Sequence, residues 1–99
     1  MNFVFAPSAI RDLDELSQYF LENSIEAGEQ LFKTLNQQFI HLTQFPNLGK
    51  PYPHLHPNIR GLLVKKYIIF YRVSAEQLEI VRIIDGRKDL TDLFSAENA

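Results

Sequence analysis

Two apolar runs, YIIFYRV at Tyr67–Val73 and LEIVRII at Leu78–Ile84, flank a four-residue polar break, SAEQ. No other stretch constrains the fold as tightly. Along the first run, Tyr67, Ile69 and Tyr71 fall on one side and Ile68, Phe70 and Arg72 on the other. A strand that is apolar on both faces belongs in the middle of a sheet with both faces covered. The break has the length of a hairpin connection. Gly86-Arg87-Lys88 then ends the stretch in a basic turn. Residues 67–90 therefore predict a β-hairpin with cations at its edge, and the rest of the chain has to cover it.

The preceding residues supply that cover. Asn2 to Phe5, with Phe3 and Phe5 on one side, reads as a strand ended by Ala6-Pro7. Proline suits the first helical position, where its missing N–H would be unpaired anyway. A helix to about Glu22 follows, with Ile10, Leu13, Leu16 and Phe20 as its inner face. Asn23-Ser24 interrupts it, and Asn23 with Glu26 has capping-box spacing. A second helix from about Ile25 to Phe45 carries an inner stripe of Gly28, Leu31, Leu35, Phe39 and Leu42. Glycine costs roughly 1 kcal/mol relative to alanine inside a helix, which close packing at the tight turn would offset. So short a connection makes an antiparallel helical hairpin. Four of the five prolines fall at Pro46–Pro57, so residues 46–58 read as a loop. Strands are expected at Ile59–Val64, Tyr67–Val73 and Leu78–Ile84, joined as an antiparallel meander with turns at Lys65-Lys66 and Ser74–Gln77. Asp89–Phe94 reads as a short helical turn. The expected class is α+β in the order β-α-α-β-β-β, a helical hairpin packed on a small, mainly antiparallel sheet.

Ninety-nine residues fit one domain, 1–99. The absence of cysteine excludes a disulfide framework, a thiol nucleophile and a zinc knuckle. Neither a signal peptide nor a membrane span is evident, and a cytoplasmic location is expected. The net charge of −2 is a poor global footprint for nucleic acid. Its distribution is uneven: the first half is acidic, while Lys50, Arg60, Lys65, Lys66, Arg72, Arg82, Arg87 and Lys88 gather in the second.

Few groups carry chemistry. His54 and His56 sit two apart in the proline-rich loop, without a third metal ligand, so a solvated loop is the plain reading and no metal or cofactor is expected. His54 becomes a candidate general base if that loop folds over the sheet. Asp12 and Glu15 read as solvating residues on an exposed helix face, and Lys65-Lys66 as a solvated turn. By strict alternation Arg82 shares a face with Ile80 and Ile84, unusual company for a charge. Either it is a partly buried arginine paired with a carboxylate such as Asp85 or Asp89, or it is a cation on an open sheet face placed to grip phosphate or a protein acid.

Read in order, several pieces resemble one family. They are Asp12-Leu13 and Tyr19-Phe20, then Phe45-Pro46 with Gly49-Lys50-Pro51, then Ile59-Arg60. Tyr67 to Val73 follows, then Ile80 to Ile84 with Gly86-Arg87-Lys88-Asp89-Leu90. Together they resemble the RelE/ParE toxins of bacterial type II toxin–antitoxin modules. The resemblance implies a small toxin held inactive by a cognate antitoxin that wraps it with an extended or helical segment. RelE-like members cleave mRNA on the ribosome, whereas ParE-like members act on DNA gyrase and lack the nuclease residues.

The departures decide between these branches. Many members have His where this chain has Asp85, and many nucleases place Tyr or His where it reads Asp92-Leu93-Phe94. Cleaving RNA needs one group to take the 2′-hydroxyl proton and another to protonate the leaving oxygen. Arginine, effectively always charged, is a poor proton carrier. Asp85 and His54 are the weak catalytic candidates, and no acid partner is evident for either. The expected activity is ParE-like, by binding rather than catalysis, with Arg60, Arg72, Arg82, Arg87 and Lys88 as target- or antitoxin-binding residues. The alternatives are a ribosome-dependent endoribonuclease and an inactive relic that still binds its antitoxin.

Overall fold

Both faces of residues 67–71 are buried because that strand lies at the centre of the sheet. The computed structural model describes residues 1–88 and 90. Its elements are β1 (Asn2–Phe5), α1 (Pro7–Asn23), α2 (Ile25–Gln44), β2 (Lys50–Pro51), β3 (Arg60–Val64), β4 (Tyr67–Val73) and β5 (Gln77–Asp85). The strands form one sheet in the order β1-β5-β4-β3-β2, with β1 parallel to β5 and the other pairings antiparallel. The α+β expectation holds. The addition is β2, a two-residue strand inside the stretch read as loop: Lys50 pairs with Gly61 and Pro51 with Arg60. Proline is tolerated there because β2 is an edge strand.

The helical hairpin covers one face of the sheet. Leu31, Leu35, Phe39 and Leu42 of α2 pack with Tyr67, Ile69 and Tyr71 of β4 and with Leu78, Ile80 and Ile83 of β5. Phe3 and Phe5 point to the same side, as alternation predicts, and stack against Phe39 with ring centroids 5.7 and 5.3 Å apart. The other face carries a smaller cluster, Ile59, Ile68, Phe70, Val81 and Ile84, against which Tyr52, Leu55 and Leu90 pack. Gly28 sits where the two helices meet, and a Cβ there would lie 2.7 Å from the Cβ of Phe20. Close packing therefore requires the glycine whose helical cost the sequence left to be offset.

Four local expectations need correction. Ile10 is 49% exposed, and the buried positions of α1 are Ser8, Ala9 and Asp12. The cap of α2 is Ser24 rather than Asn23. The Ser24 hydroxyl accepts from the Ala27 N–H at 3.2 Å, while Asn23 donates its side-chain amide to the Tyr19 carbonyl. Asp12 is buried, not solvating on an exposed face. Finally, β5 does not alternate strictly. Phe70 is opposite Arg82 but Tyr71 is opposite Ile80, so Val81 is an extra residue, a β-bulge. Ile80 and Ile83 consequently face the helices while Val81 and Ile84 face away. The short helical turn expected at 89–94 falls, apart from Leu90, outside the described residues.

Candidate functional site

The bulge matters because it lies where β1 runs out. Residues 2–5 of β1 cover β5 only from Gln77 to Ile80. Beyond that point, backbone groups on this edge need other partners. Helix α1 supplies them. Ser8 Oγ donates to the Val81 carbonyl at 2.7 Å, and Asp12 Oδ2 accepts from the Ile83 N–H at 2.9 Å. Asp12 also receives Arg82 through Nε at 2.8 Å and Nη2 at 3.1 Å. Of the two readings of Arg82, the described residues display a carboxylate pair, with Asp12 and not with Asp85; Asp89, the other carboxylate considered, lies outside the described residues. The bulge turns the guanidinium toward α1, away from a simple alternation with the isoleucines.

Past this pair, α1 and the end of the β4–β5 ladder enclose a cleft of about 390 Å³. Tyr19 and Glu15 come from α1, Lys66 from the turn before β4 and Tyr67 from its first position, and Arg82, Asp85, Arg87 and Lys88 from the end of β5 and its turn. The hairpin register brings the two sequence-distant parts together, since Tyr67 is opposite Asp85 and Gly86 N–H donates to the Lys66 carbonyl at 2.8 Å. Arg87 grips Asp85 with Nε at 3.1 Å and Nη2 at 2.8 Å, and its backbone N–H donates to the same carboxylate at 3.0 Å. These bonds hold the Asp85 carboxyl well below the usual carboxylate range. Burial pushes the Tyr67 phenol up, and the neighbouring Asp85 charge adds to the effect.

The Asp85 shift fixes a pH dependence. Its folded pKa lies below its unfolded one, so the stabilisation is complete above the ordinary carboxylate value near 4 and is lost as pH falls below it. The pair is exposed and screened, so the effect is small and salt-sensitive. Asp85→Asn is expected to flatten the acid limb of a plot of unfolding midpoint against pH, most visibly in low salt. Superimposable limbs for the two proteins would show that the pair contributes nothing.

The cleft thus gathers Arg82, Arg87, Lys88 and Asp85, but not the other predicted residues. Arg60 holds the loop after α2, donating from Nη1 to the Gly49 carbonyl at 2.6 Å and to the Asn47 carbonyl at 3.4 Å. Arg72 pairs with Glu79 and lines a depression at the opposite end of the hairpin, beside Asn58, Ser74 and Gln77. His54 is exposed, with its ring 5.8 Å from that of Tyr52, and it does not line the cleft. Sequence reasoning missed Lys66, Tyr67 and Tyr19 as lining residues. The β4–β5 hairpin could have found the first two to within one residue, because a turn at 74–77 returns the end of β5 beside the start of β4, and the bulge then sets Tyr67 opposite Asp85.

Comparison with known proteins agrees with this architecture. The model for the ParE toxin of type II toxin–antitoxin system, parDE, matches residues 3–90. Toxin ParE3 of Caulobacter vibrioides is 32% identical over 80 residues, covering 80% of this chain and 80% of that protein. A chain of the chromosomal ParDE TA system from P. aeruginosa has the same fold, with a TM-score of 0.72 at 23% identity over 86% of this chain and 95% of that one. No described helix is long and apolar enough to cross a membrane. With a family model spanning the strand order, the helical hairpin and the cleft, the chain belongs to the ParE toxin family of type II toxin–antitoxin systems.

Proposed function

We propose that this chain arrests growth by binding a protein target, DNA gyrase, in the cytoplasm, and that a cognate antitoxin neutralises it. The observation that carries this reading is the chemistry of the cleft. Its rim presents Lys66, Arg87 and Lys88 beside Tyr19 and Tyr67, a combination suited to an acidic protein surface. Among the described residues, the same cleft is poorly equipped to move protons. The carboxylate of Asp85 is tied to Arg87 and held weakly basic, and a good general base needs a pKa near the working pH. The Tyr67 phenol is shifted further from neutrality. His54, the other candidate base, belongs to a different part of the surface.

Induction of the soluble chain alone is expected to stop growth, and co-expression of the product of the adjacent small gene to restore it. Plasmid topoisomers from the arrested cells should show lost negative supercoiling while mRNA 5′ ends stay unchanged. Codon-periodic mRNA cleavage with normal supercoiling would replace this reading with ribosome-dependent nuclease action. Normal growth at confirmed soluble expression, with the antitoxin still co-purifying, would identify an inactive relic.

A further inference from the structure

Two further surfaces combine exposed apolar side chains with charge of a single sign. The first belongs to the helical hairpin. Where α1 turns into α2, a cavity of about 300 Å³ opens between the helices. Phe20 and Phe32 line it, and Ser17 and Gly28 are its smallest lining residues. Leu21 and Ile25 border it and are 59% and 58% exposed. Glu29 also lines it, and Glu22 and Glu26 stand exposed next to Leu21 and Ile25 in the chain. No described cation lines this cavity.

The second surface is a groove of about 730 Å³ that reaches Ile68, on the face of the sheet away from the helices. Its exposed apolar residues are Leu48 and Leu63, and Leu63 is 67% exposed. Lys50, Lys65, Lys66 and Arg87 supply its charge, and no described carboxylate lines it. Arg87 is tied to Asp85, but no described carboxylate pairs with the three lysines. The two surfaces share no residue, and the sheet lies between the helical hairpin and Ile68.

Exposed apolar patches rimmed by polar groups mark places where proteins associate. A symmetric contact through either surface would set acids against acids or cations against cations, which opposes association. The acidic surface of one copy against the basic groove of another reverses the sign of each of these contacts. We propose that the chain associates head to tail, the basic groove of one copy docking on the acidic helical surface of the next. Leu63 enters the cavity between Phe20 and Phe32, and Lys65 and Lys66 meet Glu22 and Glu29. Because the two surfaces differ, each docked pair leaves one of each open, and assembly continues into chains or rings. Lys66 and Arg87 also border the cleft beside α1, so a docked copy covers part of its rim. The association itself does not depend on what that cleft binds.

Sedimentation equilibrium of the purified full chain, over a range of concentration and salt, tests this. The expected result is an apparent mass that rises with concentration past that of a dimer and falls toward the monomer as salt increases. Lys65→Glu/Lys66→Glu and Glu22→Lys/Glu29→Lys should each weaken association by at least about tenfold. The second double variant keeps the Ser24 cap and Glu26 in the first turn of α2. Mixed in equal amounts, the two variants should associate again, because the acidic surface intact in one meets the basic groove intact in the other. This rescue separates a lost contact from a lost fold. A monomer at every concentration overturns the proposal and leaves the two surfaces to other partners. A dimer that grows no further, an association indifferent to salt, or a mixture no heavier than its components would also overturn it.

Discussion

Asp12→Ala is expected to destabilise the protein by about 3–5 kcal/mol, the range for removing one partner of a buried ion pair. Asp12 ends three contacts at once: two from the Arg82 guanidinium and one from the Ile83 N–H. The side chains of the pair are only 16% and 9% exposed, so water replaces little of what is lost. The truncation strips the guanidinium of this carboxylate and strands a buried donor on the part of β5 that β1 does not reach. A small domain has only about 5–15 kcal/mol of total stability, so most of it is at stake. Urea unfolding followed by far-UV circular dichroism measures the change. Asp12→Asn retains an acceptor for Ile83 and should fall between wild type and Asp12→Ala. A loss below about 1 kcal/mol for Asp12→Ala would place the pair with ordinary surface bridges.

This pair also shows where the sequence stops being legible. The helical hairpin, the central β4 and the meander were readable because their signals are local: a period near 3.6, alternation, and short polar breaks. The partner of Arg82 lies 70 residues earlier, and nothing local in α1 distinguishes Asp12 from its acidic neighbours Asp14 and Glu15. The bulge at Val81 is equally silent, because LEIVRII fits a regular strand as well as a bulged one. It becomes visible once β1 is known to end opposite Ile80 and α1 is known to pass alongside. The cap was misassigned for a smaller reason. Asn23 and Ser24 are both good caps, and a one-residue choice at a tight helix–helix turn depends on backbone geometry. The candidate site was legible in part. Arg82, Asp85, Arg87 and Lys88 do share a cleft, whereas Arg60 and Arg72, grouped with them as cations of the sheet half and of the resembling segments, lie on other parts of the surface.

Tyr71→Phe is the second substitution with a large expected effect, because one hydroxyl secures a whole loop. The Tyr71 side chain is fully buried. Its oxygen accepts from the Gly49 N–H at 2.8 Å and donates to the Pro46 carbonyl at 2.7 Å. The loop after α2 has few backbone partners of its own, so Tyr71 and Arg60 satisfy it from the sheet. Phenylalanine keeps the ring packing and deletes both bonds. Leaving the Gly49 donor buried without a partner costs about 1–3 kcal/mol, to which loss of the second bond adds about 1 kcal/mol. Thermal unfolding should register a drop of roughly 4–8 °C for each kcal/mol in a domain of this size. Gly49→Ala attacks the same contact from the other side. Its Cβ would lie 2.7 Å from both Tyr71 Cε1 and the hydroxyl, and 2.9 Å from the Gly61 carbonyl oxygen. The ring is locked and the carbonyl is backbone, so neither yields cheaply, and overpacking of about 1–3 kcal/mol is expected. Because both changes break one junction, the double variant should lose less than the sum of the single losses. A Tyr71→Phe protein within about 0.5 kcal/mol of wild type would mean that water replaces the hydroxyl and the loop needs no clasp.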